Sequence, residues 1–326
     1  MNIDAQAVLQ FRRVGLWTIA AVYFVILIGS SVRASGAGMG CPDWPTCFGQ
    51  WIPPTDESQL PINYHEIYAQ RGYQNTDFNP LKTWTEYCNR LVGVTTGILI
   101  ILTAWKSRIY LPQDKAIFYL ALWVLGLVGF QGWLGSLVVA SQLKPMMITL
   151  HMLLAMMIVL LLIYVVSRSQ RQFIGQFNDQ QLPNFALLMI KILMAMTVIQ
   201  IAMGTQVRET VDSLSQGIYT LERQYWRDHF PIIFYIHRSF SSIILFSNAW
   251  LSWKIYRATE LTQPIRLAVI GLMIAIVTGI IAGIILDRLQ MPAFIQPLHL
   301  LMANLILGLQ FFISLCLNAA KHSRMA

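Results

Sequence analysis

The chain has 326 residues, of which 56% are hydrophobic and only 12% charged. A soluble domain usually carries about twice that share of charge, so a soluble globular fold is excluded. The net charge of +8 does not signal nucleic acid, because the basic residues gather beside apolar runs rather than on one surface.

A membrane span needs roughly 20 apolar residues to cross about 30 Å of hydrocarbon. Eight segments reach that length, near 14–34, 86–106, 116–140, 146–166, 185–207, 231–253, 265–286 and 294–317. The first is followed by Val32-Arg33-Ala34-Ser35, a weak cleavage site, so it is expected to remain as a span. Arg12, Arg13, Lys106, Arg108, Arg168 and Lys254 fall on one side of this alternation, while Asp43, Asp56, Glu66, Asp77, Glu209 and Asp228 fall on the other. That bias places both termini in the cytoplasm. The expected class is an all-α polytopic protein of the bacterial inner membrane, embedded in the lipid bilayer.

The external loop 35–85 carries Cys41 and Cys47. A pair six residues apart on the outer side suits a disulfide. Two free thiols, or a zinc site completed by His65, are the other readings of the same residues.

The chain also repeats itself. At an offset of 148, Asn89-Arg90 falls on His237-Arg238, Leu150-His151 on Leu298-His299, and Gly135 on Gly283. Gly29-Ser-Ser-Val-Arg33 resembles Gly204-Thr-Gln-Val-Arg208 at an offset of 175, so the first external loop is longer than its counterpart by 27 residues. Two pseudo-symmetric four-helix halves follow, 1–170 and 171–326, in one orientation because four is even.

Polar groups inside spans are costly and usually functional. His151, His237 and His299 each lie near the outer end of an even-numbered span. Two imidazoles facing one another across a bundle suit axial ligation of a haem iron. Glycines 126, 129, 132 and 135, and Gly271, Gly279, Ala282 and Gly283, are expected to make room for the macrocycle. Arg33, Arg90, Arg208 and Arg238 sit at the same level and are candidates for the propionates. In the first half Asn89 replaces the ligand, so a haem there has His151 alone and one open iron face. Glu86, three residues before Asn89, has Phe234 as its counterpart. It is the candidate catalytic carboxylate, suited to proton transfer or to stabilising positive charge.

Gly-Ala-Gly-Met-Gly-Cys-Pro-Asp-Trp-Pro-Thr-Cys at 36–47, Gly-Gln-Trp-Ile-Pro-Pro at 49–54 and Lys-Thr-Trp-Thr-Glu-Tyr-Cys-Asn-Arg-Leu-Val-Gly at 82–93 resemble the haem A synthase family. The likeness runs from the first span through the eighth. It implies oxidation of a methyl group of haem O to a formyl group by successive hydroxylations, with haem O as substrate and haem b as the resident group. It further implies that His237 and His299 hold the haem b iron, that His151 addresses the substrate iron, that Glu86 is the functional glutamate, and that Cys41 and Cys47 are the external pair. The implied partners are a membrane enzyme supplying haem O and a membrane electron donor; homo-oligomerisation is left open. Asn89 departs from the family, which generally has a fourth histidine there. The alternatives are a dihaem b-type electron carrier, which favours four equivalent ligands, and a transporter, which favours polar sites at mid-membrane.

Overall fold

The computed structural model describes residues 4–174, 185–216, 222–257 and 262–323. The described chain is helical, with a single isolated bridge between Cys47 and Gln50. Eight long helices dominate it: α1 Ala5–Ala34, α2 Pro80–Lys106, α3 Lys115–Ala140, α4 Pro145–Ser169, α5 Ala186–Gln216, α6 Ile232–Arg257, α7 Gln263–Arg288 and α8 Ile295–Ser323. Seven of these are long and apolar enough to cross a membrane; α6 is the exception among the described residues. It has the length, 26 residues, or about 39 Å at 1.5 Å per residue. Its apolar run is diluted by His237, Arg238, Asn248 and Ser239, Ser241, Ser242 and Ser247.

Two helices begin earlier than the hydropathy suggests. Asp4 caps α1 by accepting from the Gln6 amide, so amphipathic residues 5–13 join the helix ahead of the apolar run. At α2, Asn79 accepts from Lys82 N and Pro80 occupies the first turn. A side-chain cap followed by proline is a strong start signal. The loop before α2 is therefore 35–79, and Glu86 lies well inside the helix.

The chain divides into two compact units, Met1–Leu162 and Ile163–Ala326, with the boundary inside α4. In the first unit α1 packs along α2, and α2 along α3. Thr18 and Thr103 share a hydrogen bond of 2.7 Å that ties α1 to α2 deep in the unit. In the second unit each of α5, α6, α7 and α8 touches the next and α8 returns to α5, a closed ring. Leu193, Leu251, Leu272, Ile276 and Ile313 fill its centre. Large apolar side chains such as Trp17, Trp123, Phe246 and Ile274 are exposed on the helices, as expected where the solvent is lipid.

The loop is a small packed unit. Cys41, Cys47, Phe48, Leu60, Tyr64 and Tyr73 are buried together. Phe48 meets Tyr64, Tyr68, Tyr73 and Phe78 edge-on at 5.2–6.4 Å. The turn that delivers Phe48 is left-handed, with φ of 53° at Phe48 and 74° at Gly49. Asp43 holds it, accepting from Phe48 N at 2.6 Å, Gly49 N at 2.8 Å and the Thr46 hydroxyl.

Candidate haem-binding seats

In the second unit two histidines sit against glycines of the preceding helix. A Cβ placed on Gly204 of α5 would stand 3.3 Å from His237 Cε1, and one on Gly283 of α7 would stand 3.2 Å from His299 Cε1. Glycine at these points lets the helices close on a flat ring. The Nδ1–H of His237 donates to Gln200 O at 3.2 Å, and that of His299 donates to Gly279 O at 2.9 Å. Gln200 Nε2 donates in return to His237 O at 2.9 Å. With Nδ1 engaged, Nε2 is the nitrogen each ring offers to a metal, the usual arrangement for a ligating histidine.

The ring centroids of His237 and His299 lie 6.3 Å apart, at 69° to one another. An iron about 2 Å from each of two imidazole nitrogens would put the centroids roughly 6 Å apart. The pair therefore fits axial ligation. Among the described residues no cluster of three His, Cys, Asp or Glu comes together.

The first unit has corresponding seats, one of them with a different occupant. A Cβ placed on Gly135 of α3 would stand 3.3 Å from His151 Cε1, and Gln131 Nε2 donates to His151 O at 2.9 Å. One placed on Gly29 of α1 would stand 3.6 Å from Asn89 Oδ1. Here the polar atoms are not satisfied: Asn89 Oδ1 and His151 Nδ1 are both buried without a hydrogen-bond partner. The spacing Gln-x-x-x-Gly at 131–135 and 200–204 is a sequence signal for two of these seats that motif reading passed over.

The expected roles of the glycines divide. Gly135 and Gly283 face histidines, whereas Gly279 meets Met302 at 3.3 Å and Gly271 meets Leu309 at 3.6 Å, serving contact between α7 and α8. Glycines 126, 129 and 132 have nothing within 4 Å and are exposed.

Glu86 is 4% exposed and its carboxylate faces the loop. Oε1 pairs with Arg90 at 2.6 Å and Oε2 accepts from Cys41 N at 2.8 Å. Arg90 Nη1 donates to the carbonyls of Asp43 and Thr46 at 2.8 and 2.9 Å, and Nη2 to that of Cys41 at 3.3 Å. One ion pair one turn apart on α2 thus clasps the whole 41–47 loop. Cys41 and Cys47 form a disulfide with Cα atoms 4.8 Å apart. Beside it, Tyr73 donates to Met39 O at 2.8 Å, and its phenol is pushed above the usual range, chiefly by burial and then by the charge of Glu86. His65 is engaged with Tyr73 O.

Arg208 and Arg238 have carboxylate company from the protein. Arg208 pairs with Asp212 at 2.8 Å. Arg238 and Arg227 approach Asp287 of α7 at 3.6 and 3.7 Å, a looser arrangement than the clasp. Asp287 was not singled out from sequence; its counterpart at the 148 offset is Val139, so the repeat gave no reason to look there. Arg33 closes α1 in its last turn.

A family model described as COX15-CtaA, cytochrome oxidase assembly protein, matches residues 12–311. The chain belongs to this family. Among its relatives is a heme A synthase of Shewanella oneidensis, 30% identical over 66% of this chain and 62% of that one. A heme A synthase of Shouchella clausii is 29% identical over 43% of this chain and 39% of its own length. One of Bradyrhizobium sp. is 22% identical over 85% of this chain and 83% of that one. The chain thus spans less than two thirds of the length of the first two relatives. With its apolar helices and bacterial relatives, this family member is a multi-pass bacterial membrane protein.

Proposed function

We propose that the chain is a haem A synthase, an oxidoreductase that converts a methyl group of haem O to the formyl group of haem A. The observation that carries this is the paired seat of His237 and His299, with ring centroids 6.3 Å apart. Membership of the cytochrome oxidase assembly family and likeness to heme A synthases support it.

His237 and His299 hold a haem b, each ring oriented through its Nδ1–H. That haem supplies one-electron chemistry when bound. His151 addresses the iron of haem O in the first half. Arg33, Arg208 and Arg238 provide cations at the outer helix ends, where propionates need them. Arg90, by contrast, serves the loop. Glu86 gives the first half a buried negative charge where the second has Phe234. It stabilises positive charge on the carbon being oxidised, or moves its proton. All eight helices span the inner membrane with both termini cytoplasmic, α6 being held across by its neighbours around the ring. A membrane enzyme supplies haem O and a membrane donor supplies electrons.

Co-expression with a haem O source tests this. Extracted-haem chromatography should show haem A; haem O recovered unchanged, beside a normal b-type spectrum, would leave only an electron carrier. Absence of any b-type spectrum would remove both.

A further inference from the structure

Helix α2 carries one continuous stripe of exposed side chains. Leu91, Val94, Ile98, Ile101 and Trp105 are 47–61% exposed and recur at steps of three and four, so they share one face. Tyr87 stands on the same face, one turn before Leu91. Eighteen residues separate Tyr87 from Trp105, a rise of about 27 Å, close to the roughly 30 Å of a hydrocarbon core. An apolar stripe of that length, closed at each end by an aromatic ring, has the form of a lipid-facing surface between two aromatic belts.

The loop before α2 continues this stripe. The Tyr87 hydroxyl donates to Trp51 O at 2.6 Å, which sets Trp51 at the stripe's end. Trp51 and Ile52 are 71% and 72% exposed, yet the backbone around them is held. On one side Cys47 and Gln50 bond to each other in both directions, at 2.9 and 3.1 Å. On the other, Pro53 and Pro54 are buried. The loop already has a packed aromatic centre around Phe48, and this pair is kept out of it. In water two such side chains are unfavourable. At a bilayer boundary an indole finds both an apolar medium for its ring and polar company for its N–H.

We infer that Trp51 and Ile52 are a lipid anchor: they enter the head-group region of the bilayer at the end of α2 that bears the loop, and hold the disulfide loop against the membrane surface. The occupant is lipid because the pair prolongs a face of α2 that lipid already covers. Glu86 and Arg90 grip the same loop from the protein; the anchor adds a second hold. The inference is independent of the haem reading above.

The test uses the full-length protein labelled with fluorotryptophan, placed in phosphatidylcholine nanodiscs and read by fluorine NMR. Trp51→Phe identifies the Trp51 resonance by its loss, and Trp51→Tyr does so should the first variant fail to fold. Trp105→Phe identifies Trp105, the internal standard for lipid contact. Phosphatidylcholine carrying a nitroxide near the head-group end of its acyl chain should remove most of the Trp51 signal, as it does that of Trp105. A Trp51 signal that keeps its intensity beside the nitroxide lipid would overturn the anchor. Loss instead to a water-soluble gadolinium chelate would then put the pair in water, and loss to neither would put it against protein.

Discussion

The two halves share a plan and differ in where they place polar groups. In the second half both ring Nδ1 atoms are satisfied by helix carbonyls; in the first, Asn89 Oδ1 and His151 Nδ1 are not. The arginine after the seat keeps its place but changes its counter-ion: Arg90 uses Glu86 on its own helix, Arg238 uses Asp287 on the neighbouring one. The deep ties differ too. Thr18 and Thr103 join α1 to α2 in the first half, where the second packs Leu193 and Leu251. Asn248 and Gln310 join α6 to α8 in the second at 3.0 Å, where the first has Ile100 and Leu162, both buried. The second unit closes its helices in a ring and engages both ring Nδ1 atoms, whereas the first leaves Asn89 Oδ1 and His151 Nδ1 without partners.

The largest expected effect tests the seats directly. His237→Ala or His299→Ala should remove nearly all bound haem b, read as b-type absorbance per protein, while Asn89→Ala retains it. Full retention in either histidine variant would sink the assigned ligation.

Next comes the clasp. Glu86→Ala leaves Arg90 mostly buried without its anion, a loss of about 3–5 kcal/mol for a broken buried pair, visible as a lower unfolding temperature in detergent. Haem b should remain and haem A yield should fall. Glu86→Gln, which still accepts from Cys41 N, should be milder in stability. Normal haem A yield from Glu86→Ala would take the carboxylate out of the chemistry and leave it the loop alone.

Smaller effects separate the glycines. Gly283→Val and Gly204→Val press on imidazoles 3.2–3.3 Å away and should cost about 1–3 kcal/mol by overpacking, with reduced haem content. Gly29→Ala, with 3.6 Å available, should leave haem content near the parent level. Equal effects at all three would mean that the cradles do not distinguish the rings.

The smallest concerns the Asn248–Gln310 tie. Each residue lies eleven positions beyond a histidine, His237 and His299, so the bond sets the same two helices about three turns below the seat. Asn248→Leu alone should cost about 1–2 kcal/mol, because Gln310 is left buried and unpaired. The double change Asn248→Leu with Gln310→Leu should recover most of that, approaching the apolar packing of the first half. A double variant worse than the single one would show that the pair has a role beyond holding helices.

Much of this was legible in the sequence because it depends on local pattern. Apolar run length located the helices, and the fixed offset of 148 aligned Asn89 with His237 and His151 with His299. The cysteine pair was visible in the loop before α2, although sequence left its chemistry open until the structure showed the disulfide. Helices α1 and α2 start ahead of their apolar runs, because capping by Asp4 and Asn79 extends a helix into polar sequence that hydropathy reads as loop. Arg90 illustrates a different limit. Its depth suggested a carboxylate partner from a ligand, yet its donors are taken by Glu86 and by loop carbonyls more than forty residues away in sequence.

By itself, then, the order of residues determined the number of long helices, their outward apolar faces and the asymmetry between Asn89 and His237, since hydrophobic length and side-chain identity are properties of the chain. Tertiary structure alone decided which glycine meets which ring, that Glu86 turns to the disulfide loop, and that Asp287 answers Arg238. Those outcomes depend on distances between helices, and such distances are set by the packing of residues far apart in sequence.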